Sequence, residues 1–316
     1  MRDSRFQNRV AESVFTFPSC VMLAALLWWR PLAGSLSDNI IGIALCALTA
    51  FSLIATDFYC RLIRKHSQLS ACYWLLCVAT MGFFRQGIRE ALAVTAFTAS
   101  FHLLFQTCQR REPMGMVFNS FFLLSLGGMA CPGLLYLAVC YWWYMYAFMR
   151  CLTVRTFGAG LIGLIVPFWF LAVWCMWTGD TDPLLHIVRG LLSLQLPCWE
   201  WYVSLPVGQI MAWSAALLLS LVGGIHYLAN CYDDSISVRM CLYVCVCQTV
   251  VSSVALLFHP FSHALLLPMT VVSSAPLVSH YFSLANSRAS SIFFILALMF
   301  FAAMAALRLW MPSYFS

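Results

Sequence analysis

The chain has 316 residues, of which 63% are apolar and 9% are charged, with 17 Lys and Arg against 11 Asp and Glu. An ordinary soluble domain has roughly a quarter of its residues charged, because its surface must face water. The composition therefore excludes a soluble domain and indicates hydrocarbon as the surroundings, where each segment must satisfy its own backbone hydrogen bonds. The apolar runs are continuous and do not alternate, which favours helices over a β-barrel.

Eleven apolar segments approach the ~20 residues that a helix needs to cross a bilayer. The fifth and sixth are short and are separated only by residues 127–133, so ten or twelve crossings are alternatives. The sequence predicts an all-α bundle in a single integral membrane domain over residues 1–316. In chain order the segments are 13–29, 39–58, 69–84, 91–107, 114–129, 134–148, 157–177, 210–228, 240–257, 264–281 and 291–309.

The basic residues predict the orientation, because cytoplasmic loops hold most Arg and Lys. With a cytoplasmic N-terminus and an outer C-terminus, 12 of the 17 basic residues lie inside. The inside residues are Arg2, Arg5, Arg9, Arg61, Arg64, Lys65, Arg110, Arg111, Arg150, Arg155, Arg239 and Arg288. The outside residues are Arg30, Arg85, Arg89, Arg189 and Arg308.

The net charge of +6 reflects this topology, with some attraction to anionic lipid headgroups. Membrane lipids are therefore the expected partners. No loop concentrates enough Arg and Lys to cover a phosphate backbone, so we expect no nucleic-acid binding.

The outer loop 178–209 contains an amphipathic helical pattern. One helical face is apolar, and His186 and Arg189 point away from it, so we expect an interfacial helix that does not cross the membrane. Trp199, Trp201 and Tyr202 follow, and such half-polar rings prefer headgroup depth. The loop either holds a lipid-linked substrate, with Arg189 and these three rings as contacts, or covers the bundle. The apolar face comprises Leu184, Leu185, Val188, Leu191 and Leu192.

Two arginines lie on the outer side against the positive-inside trend. Arg85 and Arg89 are four residues apart, so an early helix start would let both guanidinium groups bind one phosphate or carboxylate. Glu90 could instead pair with either arginine and make the cluster an inert cap. Anion binding and capping are equally compatible with the sequence.

Other polar residues within the segments have structural interpretations. His102 and His226 are expected to be neutral imidazoles bonded to a neighbouring helix, and Asp57 is expected to pair with Arg61. Most of the 15 cysteines lie in apolar segments, where a thiol packs as a small hydrophobe. The sequence predicts no metal site and no cofactor.

Two cysteines, Cys131 and Cys198, are expected near the outer surface. A disulfide between them is conceivable, but it does not follow from the sequence.

Asp38 ends the first outer loop, where a carboxylate could serve as a general base or metal ligand facing the outer leaflet. The arrangement of Asp38 with the outer arginines and the interfacial helix resembles that of the polytopic glycosyltransferases that use polyprenyl-phosphate sugars. The first outer loop of those enzymes carries a functional acidic residue. The loop 31–38 is shorter than in those enzymes, and Glu90 is the only acidic residue in the next outer loop.

The stretch from His102 to Trp177 resembles an uncharacterised family of multi-pass inner-membrane proteins of Bacteroidota. This resemblance implies a bacterial inner membrane and no particular activity. It rests on His102-Leu103-Leu104-Phe105, Phe118-Asn119-Ser120, residues 149–157 and residues 163–169.

Three hypotheses of function follow. The first is a non-enzymatic envelope scaffold or accessory subunit that contacts protein partners, favoured by the lack of paired catalytic carboxylates. The second is a transferase for lipid-linked sugars, with Asp38 as base or metal ligand and Arg85 and Arg89 as phosphate clamp. The third is a transporter, for which repeats and broken helices at mid-membrane are expected; only 127–133 and Gly223-Gly224 suggest them.

Overall fold

The computed structural model describes residues 6–13, 15–28, 36–62, 67–82, 84, 87–192, 207–258, 262–285 and 287–310. Throughout these residues the regular secondary structure is helical, and they contain no strand. This is the all-α architecture that the composition predicts, since a helix satisfies its backbone within one segment.

Thirteen α-helices can be numbered along the described residues. Three-ten turns cover Pro132–Tyr136 and Cys231–Asp233, and Met145–Met149 form a π-helical turn. The helices are α1 Phe6–Glu12, α2 Thr16–Trp28, α3 Leu36–Cys60, α4 Leu69–Met81, α5 Ile88–Phe105, α6 Met114–Ala130, α7 Leu137–Tyr144, α8 Val154–Thr178, α9 Asp182–Leu192, α10 Val207–Asn230, α11 Ile236–Phe258, α12 His263–Leu284 and α13 Arg288–Trp310.

Seven of these helices, α3, α5, α8 and α10 to α13, are long and apolar enough to cross a membrane. Three more, α2, α4 and α6, are apolar but shorter. The protein is therefore a helical membrane protein. Because α4 is almost wholly buried among other helices, it can remain short without exposing its ends to lipid.

Helices α3 and α5 run parallel and in register. Thr49 Oγ1 lies 3.1 Å from Thr95 Oγ1, and Thr56 Oγ1 lies 2.9 Å from Nδ1 of His102. Both pairs are 46 residues apart in sequence, so the two helices begin at one end of the bundle and finish at the other. The His102 contact is the bond to a neighbouring helix that the sequence predicts.

The two ends of the bundle are named after the two ends of α3. At the Asp38 end, α3 and α5 begin and α4 finishes, because Gly42 of α3 lies against the Phe84 carbonyl. At the Cys60 end, α5 finishes and α11 begins, because the thiols of Cys60 and Cys108 interact with Cys241.

Helix α12 occupies the centre of the bundle, where α4, α5, α10 and α11 pack against it. Its polar side chains are buried there, and Ser273 accepts a hydrogen bond of 3.1 Å from Thr249. Gly223 lets α10 approach closely, since a Cβ at that position would lie 3.2 Å from the Leu277 backbone. Gly223 is thus a packing contact, and the helix continues without a break through Gly223-Gly224.

Helix α6 continues through its glycine pair and then ends within residues 127–133, where the sequence suggested a break. A Cβ at Gly127 would press on Ala96 and Leu134, so the glycine permits close packing on α5 and on the following turn. The helix ends at Ala130, and Pro132 begins the three-ten turn. The break is therefore set by proline, which lacks the N–H that would continue the helix.

Arg308, near the end of α13, caps the C-terminus of α4. Its Nη1 donates a 2.8 Å hydrogen bond to the Ala79 carbonyl, and its guanidinium covers Gly82. Gly82 adopts a φ of 78°, the left-handed conformation that commonly closes a helix. A cation at this position also interacts favourably with the helix dipole.

We expect Arg308→Met to destabilise the protein by about 1–3 kcal/mol, because a buried carbonyl loses a charged donor. Thermal unfolding in detergent should show a lower midpoint for this variant. Arg288→Met is the matched control, since Arg288 is exposed at the opposite end of the same helix. Equal midpoints for both variants would contradict the capping role.

Candidate functional site

A cavity lies at the Asp38 end, where α5, α10 and α12 all begin. It contains about 490 Å³ of empty space, part of which is open to solvent. The C-terminus of α4 and Phe84 close one side. The lining residues are Met81, Phe84, Gly87, Glu90, Gly208, Gln209, Ala212, Trp213, His263, Ala264 and Leu267.

Glu90 supplies the carboxylate of this cavity from the first turn of α5. Its side chain folds back over Gly87, the residue before the helix, and a Cβ at position 87 would collide with Oε2 of Glu90. Glycine is thus required at this position for the observed carboxylate placement. Among the described residues, no ion pair joins Glu90 to Arg89. The inert cap that this pair would form is therefore not seen there.

Helices α10 and α12 add three further polar side chains. Gln209 and Trp213 are four residues apart on α10 and therefore share a face. Oε1 of Gln209 and Nε1 of Trp213 are buried, and no described residue forms a hydrogen bond with either atom. The ring of His263 lies 6.1 Å from the Trp213 ring. An acceptor and a donor are therefore available for a ligand in this cavity.

The electrostatics of the cavity suit an anion beside an acid–base group. The N-termini of three helices meet there, and helix N-termini carry partial positive charge and unsatisfied N–H groups. Arg89 does not line the cavity, but its exposed guanidinium lies on the same first turn of α5 as Glu90. Glu90 and His263 are groups that can accept or donate a proton.

Asp38 lies at this end but outside the lining of the cavity. It is exposed in the first turn of α3, one helical turn before Gly42, which contacts the Phe84 carbonyl. The structure thus brings Asp38 to the same end of the bundle as Arg89 and Glu90, as the transferase hypothesis requires.

Helix α9 is the helix that the sequence predicts in the 178–209 loop. It packs on the three-ten turn, where Gly190 meets Pro132 and the Tyr136 hydroxyl donates to the Leu191 carbonyl. Ile187 is the buried residue of the helix, and the apolar face that the sequence predicts lies beside it and contains exposed residues. Leu192, from the predicted face, is 78% exposed.

Arg189 is exposed on α9. Four other residues named in the predictions lie outside the described residues, and so does Cys198, for which a disulfide with Cys131 is conceivable. The four residues are Arg85, Trp199, Trp201 and Tyr202.

Cys131 lies between the charged first turn of α5 and the three-ten turn that α9 contacts. Burial, with a smaller contribution from the charge of Glu90, raises the pKa of its thiol to about 11, and Arg89 opposes this effect. Cys131 immediately precedes the turn on which α9 packs. Helix α9 therefore adjoins the first turn of α5.

A second polar cluster lies at the Cys60 end. Nε2 of His280 is 3.0 Å from Oδ2 of Asp234, and both side chains are 3% exposed. The Tyr227 ring meets His280 edge-on at 5.3 Å. This pair fixes the turn before α11 to the end of α12, which gives it a structural role.

Asp57 differs from its predicted arrangement. Both carboxylate oxygens are buried beside Ser70 and receive no hydrogen bond from a described residue. Arg61 lies beyond the end of α3, is exposed, and has a φ of 47°. The described residues therefore do not form the expected Asp57–Arg61 pair, because the chain turns away at the end of the helix.

The sequence did not identify the polar side chains of α10, or the Asp234–His280 pair. Gln209 and Trp213 were not singled out, and Glu90 was considered only as a partner for arginine. The sequence signal available for these cavity residues was a polar side chain in the first helical turn after an outer loop. Their convergence depends on how α5, α10 and α12 pack, which hydropathy does not specify.

No protein-family model, curated protein or solved structure matches the chain. The two family resemblances therefore remain predictions. Among the described residues, no group of three or more His, Cys, Asp or Glu side chains is arranged to hold a metal ion. The function must be inferred from the chemistry of the cavity.

Cys108 and Cys131 lie outside the long helices and have opposite environments. A hydrogen bond from Cys241 lowers the pKa of Cys108 to about 7, with a smaller contribution from Ser237, whose hydroxyl is 3.8 Å from the sulfur. Burial opposes these effects. At neutral pH, Cys108 is therefore substantially thiolate, whereas Cys131 is a thiol.

We expect iodoacetamide to label Cys108 at least about tenfold faster than Cys131 at pH 7, because the thiolate is the nucleophile. The rate at Cys108 should rise with pH through about 7 and then level off, as measured by mass spectrometry of the labelled peptides. Ser237→Ala should shift this rise to higher pH, because it removes one donor to the thiolate. Equal rates at the two cysteines would contradict the assignment.

Proposed function

We propose that the protein is a membrane transferase that acts on a lipid-linked sugar phosphate at the Asp38 end. One observation carries this proposal: the buried Gln209 and Trp213 atoms that lack described partners share a cavity with Glu90 and His263. Buried polar atoms are normally paired, so such a set is typical of a ligand site. Three converging helix N-termini favour an anionic group on that ligand.

The proposed reaction uses the groups of this cavity in distinct roles. Glu90 accepts the proton of an acceptor hydroxyl as the hydroxyl oxygen bonds to the anomeric carbon. The bond between that carbon and the phosphate oxygen breaks, and the lipid phosphate leaves as an anion near Arg89 and the helix N-termini. Trp213 donates and Gln209 accepts hydrogen bonds to orient the sugar, and His263 holds the phosphate oxygen or the acceptor.

Asp38 was the base expected from the sequence. We propose Glu90 instead, because Glu90 lines the cavity and Asp38 does not. Asp38 is assigned to the rim of the site, where it would contact the acceptor. This assignment retains the outer-leaflet transferase hypothesis and changes the residue that removes the proton.

We further propose eleven crossings of a bacterial inner membrane, with the N-terminus in the cytoplasm and the Asp38 end outside. The positive-inside distribution supports this orientation. The connections at the Cys60 end contain Arg61, Arg110 and Arg150, and the first helical turns at that end contain Arg239 and Arg288. Crossing by the shorter helices requires local thinning of the bilayer or neighbouring helices that cover their ends.

A second candidate is the accessory subunit that the sequence favours. Helix α8 supports it, because its final turns expose a continuous aromatic surface that a partner helix could cover. Trp169 is 66% exposed, Trp174 is 62% exposed and Trp177 is 87% exposed. Lipid covers such a surface equally well, so this candidate ranks second.

Reporter fusions test the orientation. Alkaline phosphatase fused after Gly179 should be active, because this enzyme folds only outside the cytoplasm, whereas a fusion after Arg111 should be inactive. Green fluorescent protein fused at the same positions should give the opposite pattern. Activity of the phosphatase after Arg111 would reverse the proposed orientation.

Substitutions in the cavity test the transferase. We expect Glu90→Gln to lower the rate of sugar transfer by about 10²–10⁴-fold, because the general base is lost while the shape is retained. The measurement is transfer from a synthetic polyprenyl-phosphate sugar by purified protein, together with the surface glycans of complemented cells. Asp38→Asn should have a smaller effect.

Trp213→Phe removes the indole N–H and keeps an aromatic ring, so it should raise KM with little change in kcat. Trp177→Phe is the matched control, because Trp177 is exposed on α8. Full activity of Glu90→Gln, or identical effects of the two tryptophan substitutions, would reject the proposed site.

A further inference from the structure

Three cysteine thiols from distant parts of the chain meet at the Cys60 end of the bundle. Cys60 is the last residue of α3, Cys108 follows the end of α5, and Cys241 lies in the second turn of α11. The Cys241 thiol forms hydrogen bonds with both Cys108 and Cys60. Cys241 is therefore the central member of these three residues, which we call the thiol cluster.

Ser237 limits the distance between Cys108 and Cys241. The Cys108 sulfur lies 3.9 Å from the Ser237 carbonyl oxygen and 3.8 Å from the Ser237 hydroxyl oxygen. Ser237 precedes Cys241 by four residues on α11, and in an α-helix the N–H of residue 241 donates to the carbonyl of residue 237. Because that hydrogen bond is about 3 Å long, the Cys108 sulfur lies within about 7 Å of the Cys241 backbone nitrogen. The Cys241 side chain is long enough to bridge this distance.

The two thiols differ in their access to solvent. Cys108 is partly exposed, whereas Cys241 is 2% exposed. A hydrogen bond from Cys241 lowers the pKa of Cys108 to about 7, although burial opposes this effect. An accessible thiolate next to a second, resolving thiol is typical of redox-sensor cysteines.

We propose that Cys108 and Cys241 form a peroxide-reactive pair, in which Cys108 reacts with a hydroperoxide and Cys241 then closes a disulfide with it. The thiol cluster lies at the opposite end of the bundle from the proposed transferase cavity. The pair is therefore a second site, and it does not depend on the transfer of sugar.

The reaction has two steps. The Cys108 thiolate attacks one peroxide oxygen, the O–O bond breaks, and hydroxide leaves while the sulfur becomes a sulfenic acid. The Cys241 sulfur then attacks the sulfenic sulfur, so that the S–S bond forms and the S–O bond breaks. The departing hydroxide takes the proton of the Cys241 thiol and becomes water. Two electrons pass from the two sulfur atoms to the peroxide oxygens.

Two neighbouring thiols serve as internal comparisons. Cys60 contacts Cys241, and the buried Cys151 sulfur lies 3.5 Å from the Thr107 hydroxyl. The hydrogen bonds that act on the Cys108 thiol come from Cys241 and Ser237. A sulfenic acid at Cys108 therefore meets the Cys241 thiol first.

The proposed orientation of the chain places the thiol cluster at the cytoplasmic face. Thiols are kept reduced in the cytoplasm, where disulfides are usually transient or redox-sensing. The disulfide would therefore form when peroxide reaches Cys108. A dithiol reductant would restore both thiols by exchange, supplying two electrons and two protons.

Peptide mass spectrometry of the full chain in detergent tests the pair. The protein is reduced with dithiothreitol, freed of the reductant, exposed to hydrogen peroxide over a time course and blocked with iodoacetamide. We expect the main product to be a disulfide between the peptides of Cys108 and Cys241, and dithiothreitol should remove it. An unoxidised Cys108, sulfinic acid at Cys108 without a disulfide, or a main disulfide from Cys108 to Cys60 or Cys151 would overturn the proposal.

Serine substitutions separate the two roles. Cys241→Ser should abolish the disulfide and leave Cys108 as a sulfenic acid, which dimedone traps. Cys60→Ser is the matched control, because it removes the other thiol that contacts Cys241 and keeps the reactive pair. It should form the disulfide as the unsubstituted protein does. Equal dimedone labelling of Cys108 in the two variants contradicts the resolving role of Cys241.

The unsubstituted protein and Cys60→Ser still decide the question if Cys241→Ser does not fold. Loss of the disulfide in Cys60→Ser would show that Cys60, and not Cys241, is the partner of Cys108, and the proposal would be wrong. None of these measurements requires sugar transfer, so a failure here is distinguishable from a failure of the transferase.

Discussion

The enclosure of α12 is the constraint on which the rest of the bundle depends. This helix carries Thr270, Ser273 and Ser274 in the middle of an otherwise apolar chain, and lipid offers no hydrogen-bond partner for them. Surrounding helices must therefore cover it, and α4, α5, α10 and α11 do so. Helices that cover α12 can be short or contain close-packed glycines such as Gly223, because their contacts are with protein.

This packing makes the two ends of the bundle chemically different. At the Cys60 end, the buried Asp234–His280 pair joins the turn before α11 to the end of α12. At the Asp38 end, the first turns of three helices converge, and Gln209 and Trp213 keep buried polar atoms that no described residue satisfies. Three converging helix N-termini beside these atoms favour the Asp38 end for the proposed transferase chemistry.

Particular elements show how far a sequence can be interpreted. The amphipathic pattern predicts the α9 helix, but it does not show that Ile187 is the residue that packs on the protein. The break suggested over residues 127–133 lies at Cys131, after the glycine pair, and the pair itself permits close packing. Acid-first spacing suggested an Asp57–Arg61 pair, but the chain leaves the helix before Arg61. For the α9 face and the Asp57 side chain, several arrangements fit the local spacing of residues, and the tertiary contacts select one of them.

The amino-acid sequence alone determined the helical membrane class and the approximate positions of the apolar segments, because hydrocarbon demands long apolar runs with internally satisfied backbones. Only the tertiary structure decided which residues meet. Glu90, Gln209 and His263 belong to three helices that are distant in sequence, and they share one cavity. The physical reason is that a side chain facing lipid and one facing the protein core can be equally apolar, so hydropathy does not show which helix faces converge.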